Sequence, residues 1–384
     1  MNIRLSVAIM AHPSRAHRAR ELSKRHPELN ATIILDPAPE ETPSALRTAS
    51  LAWAAVTEEA THHLVLQDDA KLCDGFAEKL HTILKLYPAT PLSLFTEWSS
   101  LTAHHLRFAA MAGGAWAEVL DEYVPCVALV MPSGLARDFA SATAGRVSEW
   151  HRADDVALRA FLDDRAITPL CRIPTLVEHV PEDSLTGNAN QGPRHSVCFA
   201  DDVVDDMPAE LRATVEQLPT FSHFLADEFA SRPFYAIRPP EGCDQPWKIC
   251  LTEEWLGDQA PQVTALAEAT LRGWRRRYRQ LPDLIDHMWL LPFAMGITLG
   301  RDSVRLQHPD GTAAARPLPM TEKQLQSVLE HSIVHRALTT IGQAVLFPAM
   351  ATETLDRLAR PLFEMTTEAI RIGYHFGEKR PWWT

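Results

Sequence analysis

Two adjacent aspartates close the first informative stretch of this chain, His63-Leu64-Val65-Leu66-Gln67-Asp68-Asp69, and no basic residue follows before Lys71. The apolar run is short and bounded, as in a buried strand. A carboxylate pair at the carboxyl end of such a strand can hold a divalent cation, and the cation can hold a diphosphate. The same pair can also cap a turn. Asp154 and Asp155 form a second pair, ahead of the helix-like pattern Val156-Ala157-Leu158. In a first helical turn they either complement the helix dipole or present a general base to an attacking hydroxyl. His179, in Pro174-Thr175-Leu176-Val177-Glu178-His179, is either structural or a group that ligates a cation or binds phosphate. Asp36 follows the apolar run Thr32-Ile33-Ile34-Leu35 and precedes Pro37. There it is a turn residue, or a carboxylate offered to a base or ribose hydroxyl. His12 and Arg15 follow the first apolar run and border the same crevice, and a guanidinium fork suits phosphate.

The elements that must position these residues alternate. Leu5–Met10, Thr32–Leu35, the run ending at Gln67, Leu92–Phe95 and Val127–Met131 read as strands. Arg15–Arg25, a segment from the N-cap Ser44 to about Ala60, and Gly75–Leu86 behind a capping Asp74 read as helices. This rhythm predicts an α/β domain with a largely parallel sheet. Ligands then bind outside the carboxyl ends of the strands, which is where the acidic residues fall. After about Asp205 the texture changes. Pro208–Phe229, Ala260–Leu281, Leu284–Met295, Thr321–Ala344 and Thr352–Ile372 read as helices, with one hairpin at Ser303–Leu306 and its Pro309-Asp310-Gly311 turn. The expected organisation is therefore an α/β domain over 1–205 and a mostly helical domain over 206–384, joined near Asp201–Asp206.

A length of 384 residues exceeds one ordinary core, in keeping with two domains. The net charge of −12 argues against nonspecific nucleic-acid binding or a home on anionic membrane, so no nucleic-acid partner is expected. No uncharged apolar run of about 18 residues predicts a transmembrane segment. The opening Met1-Asn2-Ile3-Arg4-Leu5-Ser6 leads into strand-like alternation and lacks the pattern of a secretion signal. The six cysteines are far apart with no Cys-x-x-Cys pair, which predicts free thiols in a cytoplasmic protein.

Taken in order, these residues resemble a GT-A type glycosyltransferase over roughly residues 3 to 200. The resemblance implies a Rossmann-like nucleotide-sugar-binding domain. Its nucleotide site begins at the loop with His12 and Arg15, and Asp36 faces the nucleoside. Gln67-Asp68-Asp69 stands for the D-x-D-like metal motif, with an amide in the leading position, so Asp69 carries most of any metal binding. Asp155, or else Asp154, stands where inverting members place the base. The segment ending at His179 closes the diphosphate site and offers a second metal ligand. Arg194-His195-Ser196-Val197-Cys198-Phe199-Ala200-Asp201-Asp202 resembles the end of such domains. Trp98 follows a strand end and either stacks on a sugar or fills the core. The resemblance implies a UDP- or GDP-sugar donor, manganese or magnesium, an unidentified acceptor hydroxyl and inverting displacement. The alternative is a non-catalytic module that binds nucleotide sugars or serves as a scaffold.

Ala11-His12-Pro13 also resembles the Ala-His-Pro-Asp-Asp loop of zinc-dependent sugar de-N-acetylases. Ser14 and Arg15 replace its acidic pair, which removes a ligand and a base. No Gly-x-Gly-x-x-Gly follows the first strand, against a dinucleotide oxidoreductase. In the second half, His331 and His335 share a helix face without the glutamate of a zincin. The basic aromatic run Arg272–Arg279 reads as a solvated face or a contact surface. That half is expected to select the acceptor or to form a homo-oligomer contact.

Overall fold

A computed structural model describes residues 2–145, 153–180, 194–221, 232–238, 247–301, 303–314, 320–347 and 350–378. Trp150-His151-Arg152, the polar loop with Ser184 and Gly187, and Cys243 lie outside the described residues. The chain divides into two units, Met1–Glu97 with Trp116–Asp205, and Trp98–Ala115 with Asp206–Thr384. The second unit thus includes Trp98–Ala115, a segment that sequence places in the first.

The first unit is α/β. Along the chain come β1 (Leu5–Ala11), α1 (Ala16–Arg25), β2 (Thr32–Leu35), α2 (Ala45–Ala54), β3 (His62–Gln67), β4 (Ala70–Leu72), α3 (Phe76–Leu86) and β5 (Leu92–Ser93). The chain then gives α4 (Leu101–Ala112) to the second unit. It returns with β6 (Trp116–Glu118), β7 (Ala128–Pro132), α5 (Ser133–Thr143), α6 (Asp154–Asp163), β8 (Leu170–Arg172) and β9 (Val177–His179). The strands of this unit's large sheet run in the order β6-β8-β5-β7-β3-β1-β2. β1 pairs in parallel with β2 and β3, and β5 with β8, whereas β7 is antiparallel to both neighbours and β6 to β8. The sheet is therefore mixed, and a wholly apolar strand such as Ala128-Leu129-Val130-Met131 has no period that reveals its direction. Leu46, Ala49 and Trp53 on α2, Phe139 on α5, and Leu158 and Phe161 on α6 pack with Ala8, Met10, Val65, Leu129 and Met131 in one buried cluster.

Local chemistry sets the helix starts. The Ser44 hydroxyl accepts the Arg47 N–H at 3.3 Å and caps α2, which ends at Ala54, short of Ala60. Asp74 does not cap α3. Gly75 does so with φ +66°, a left-handed conformation open to glycine, and the Asp74 N–H donates to Asp201 Oδ1.

The second unit adds to α4 the strands β10 (Arg212–Val215), β11 (Gln217–Phe221), β12 (Pro233–Ile237) and β13 (Lys248–Leu251). Next come α7 (Thr252–Leu256), α8 (Ala260–Arg277), α9 (Pro282–Gly300), β14 (Val304–Gln307), β15 (Ala313–Ala314), α10 (Glu322–Glu330), α11 (Ser332–Leu346) and α12 (Thr352–Glu378). β10, β14 and β15 form one antiparallel set and β11, β12 and β13 another. The helix expected over Pro208–Phe229 is corrected: its described part holds β10 and β11. Residues 212–215 alternate in burial, which a helix would not do, and Pro219 lacks the N–H a helix interior needs. The single helix expected over Thr321–Ala344 breaks at His331, whose ψ of 134° is extended. The longest helices, α9 and α12, pack through glycines. A Cβ on Gly373 would run into the Phe293 carbonyl, and one on Gly296 into the Ile370 carbonyl. Cys73, Cys126, Cys171, Cys198 and Cys250 are free. Among the described residues no helix is long and apolar enough to cross a membrane.

Candidate functional site

Pairing within the first unit gathers the sequence's acidic residues at one edge of its sheet. Ala11 lies opposite Leu35 and Met10 opposite Gln67, so the carboxyl ends of β1, β2 and β3 are level. His12, Asp36 and Asp68 follow those ends. The antiparallel β7 begins at the same edge, where the Val127 carbonyl accepts the Gln67 N–H at 2.9 Å. Just before it, the Val124 N–H donates to the Asp155 carbonyl at 3.2 Å, which ties the first turn of α6 to this edge. The small sheet β4–β9 sets Ala70 opposite His179.

Four of the expected residues meet here. Arg15 Nη1 lies 3.9 Å from Asp68 Oδ1 and 3.8 Å from Asp69 Oδ2, and His179 Nε2 lies 3.3 Å from Asp69 Oδ2. Burial raises the Asp69 pKa, but His179, Arg15 and Arg194 outweigh it and hold the carboxyl below the ordinary aspartate range. The 3.3 Å approach has the distance of an ion pair without hydrogen-bond alignment. Asp69 Oδ1 and both ring nitrogens of His179 are buried and make no hydrogen bond. A carboxylate oxygen and an imidazole nitrogen left in this way are groups that a divalent cation would complete. Among the described residues no three His, Cys, Asp or Glu side chains gather around one point. The protein's share would then be Asp69 and His179, with water and phosphate oxygens filling the other positions.

In the first turn of α6 Asp154 is buried and Asp155 half-buried. Burial first, and the neighbouring Asp155 second, push Asp154 up to about 7. Burial also raises Asp155, whose Oδ1 accepts the Val156 N–H at 2.8 Å. The Arg194 guanidinium pulls both down and acts on Asp69 as well, so the two acidic pairs share one electrostatic neighbourhood.

Other expected residues have structural partners. Asp36 accepts Arg47 Nε and Nη2, each at 2.7 Å, and the Ala38 N–H at 3.1 Å, and its pKa is lowered chiefly by Arg47. This bidentate pair pins the loop between β2 and α2. His12 Nδ1 lies 2.7 Å from Ser14 Oγ and accepts the Ser14 N–H at 3.2 Å, shaping the turn that carries Arg15. Trp98 is buried in the second unit and its carbonyl accepts from Arg107 Nη2 at 2.7 Å, a core position. In that unit His331 Nε2 lies 3.2 Å from Asp206 Oδ1, and the His335 ring packs on Phe363 at 3.8 Å, so the two histidines have separate partners.

Sequence reading passed over Glu178. Its Oε1 accepts the N–H groups of His179 and Ser196, each at 2.8 Å, and its Oε2 accepts the Ser196 hydroxyl at 2.9 Å. Burial raises the Glu178 pKa, but His195 and Ser196 outweigh it and lower it overall. The alternation in Val177-Glu178-His179 placed Glu178 and His179 on opposite faces, the only sequence signal that they serve different partners.

Comparison with protein-family models gives no match, and comparison with curated proteins gives no significant relative.

Proposed function

We propose that the first unit transfers a sugar from a nucleoside diphosphate to an acceptor hydroxyl. The observation that carries this reading is the meeting of Arg15, Asp68, Asp69 and His179 at the level carboxyl ends of β1 and β3, with Asp154–Asp155 tied to that edge. A UDP- or GDP-sugar would lay its diphosphate against Arg15, whose fork suits phosphate oxygens. Asp69 and His179 would hold a manganese or magnesium ion, which when bound offsets charge on the leaving diphosphate. The acceptor oxygen attacks the anomeric carbon, and the bond from that carbon to the phosphate oxygen breaks with its electron pair going to the diphosphate. Asp155 takes the acceptor's proton. A carboxyl whose pKa burial raises suits a base that must gain and release a proton.

The test is a screen of nucleotide sugars for donor hydrolysis, with and without manganese, in the wild type and in Asp69→Ala. Metal-stimulated hydrolysis that Asp69→Ala lowers at least tenfold is expected. Asp155→Asn should keep donor binding and lose transfer. Absence of binding and hydrolysis with every donor refutes the reading. Binding without turnover would instead make the unit a nucleotide-sugar-binding module.

A further inference from the structure

His195 and Ser196 are held at the edge where β5 ends and β7 begins. His195 Nδ1 lies 3.7 Å from Glu178 Oε1, and Ser196 gives its N–H and hydroxyl to the same carboxylate at 2.8 and 2.9 Å. Ser196 also pairs antiparallel with Glu97. Glu178 in turn precedes His179, whose ring meets Asp69. Arg194 directly precedes the held His195 and Ser196. Its side chain is half-buried, and among the described residues its guanidinium has no hydrogen-bond or ion-pair partner. Its charge nevertheless acts on Asp69, Asp154, Asp155 and Tyr123.

A guanidinium drawn partly out of water without a partner is unfavourable unless a ligand completes it. The chemistry narrows that ligand. A cation is repelled by the guanidinium itself. A weak anion gains little against the surrounding carboxylates. A polyphosphate carries enough charge to overcome them, and its adjacent oxygens match the five-donor fork. We propose that Arg194 is a diphosphate-binding residue that acts with Arg15 on the same ligand. Naming that ligand a nucleoside diphosphate rests on the sugar-transfer reading; the anion site does not.

The experiment is calorimetric titration of the full chain with inorganic pyrophosphate, UDP, GDP, uridine and guanosine, for wild type, Arg194→Ala and Arg194→Lys. Hydrogen bonds to a charged group imply that Arg194→Ala weakens pyrophosphate binding about 10- to 100-fold. Arg194→Lys keeps the charge without the fork and should recover part of the loss. Nucleoside binding should not change, and both variants should melt as the wild type does. Wild-type protein that does not bind pyrophosphate, or Arg194→Ala that binds it equally well, overturns the proposal. So does a variant that melts early or loses nucleoside and pyrophosphate alike, since either marks a structural arginine. Arg194-dependent binding of pyrophosphate without binding of UDP or GDP leaves the anion site standing and removes the nucleotide-sugar reading.

Discussion

Replacing Asp154 with asparagine should stabilise the protein. Asp154 is 7% exposed, and burial beside Asp155 sets its carboxyl at about 7 against an ordinary 3.8. A carboxyl held above its ordinary value binds its proton more tightly in the folded chain than in the unfolded one. Its contribution is fully present below about pH 4, declines between about 4 and 7, and is absent above that. At 1.36 kcal/mol per pH unit, ionisation costs the folded state about 4 kcal/mol. Asparagine imitates the protonated form and escapes that cost. It also gives up a carboxylate in the first turn of α6, worth about 0.3–1 kcal/mol. The expected net gain at pH 8 is about 3 kcal/mol, vanishing towards pH 4. Urea unfolding of both proteins at pH 4, 6 and 8, followed by circular dichroism, measures it. A variant less stable at every pH, or a gain that ignores pH, would refute the assignment of strain to an ionised Asp154.

Two further substitutions probe the frame around the site and the packing of the second unit. Arg47→Gln breaks the bidentate pair with the depressed Asp36 and should cost about 1 kcal/mol at pH 7. The pair's stabilisation is present above Asp36's ordinary value and lost as pH falls through its lowered one, so the difference between the proteins in urea should close in acid. Gly373→Ala drives a methyl group into the Phe293 carbonyl between α9 and α12. Alanine favours a helix by about 1 kcal/mol, yet overpacking should win by about 1–3 kcal/mol. Thermal melting decides the sign, and a raised melting temperature would contradict the close approach of the two helices.

The first unit was largely legible because its strands are short apolar runs ended by polar residues. β1, β2, β3 and β7 lie where such runs fall, and the acidic residues sit at their ends for the same reason. Direction was not legible in β7, since a run buried on both faces reads the same either way. β10 and β11 resemble a helix in sequence because their alternation is brief. Glu178, Arg47 and Arg194 escaped notice because each matters through tertiary neighbours. Glu178 finds Ser196 eighteen residues on, and no local pattern announces that meeting. Arg47 lies three residues after the Ser44 cap, and the helical pattern there does not show that its partner is Asp36.

The contrast between Asp36 and Asp69 separates structural acids from the candidate functional one. Both follow a strand at the same edge, and both could be turn residues. Asp36 behaves as one: a backbone N–H and a bidentate arginine account for its carboxylate. Asp155 stands between, with one oxygen taken by its own turn. Asp69 does not fit the structural role. A capping carboxylate accepts backbone N–H groups, yet Asp69 Oδ1 is buried and accepts nothing, and His179 beside it is equally unbonded. An unpaired buried oxygen costs about 1–3 kcal/mol, and this one belongs to a carboxylate whose other oxygen meets His179 without a hydrogen bond. Add a raised Asp154 and an unpartnered Arg194, and several unfavourable groups of the first unit gather at one strand edge. Such concentration is expected where a ligand, not the fold, completes the bonding.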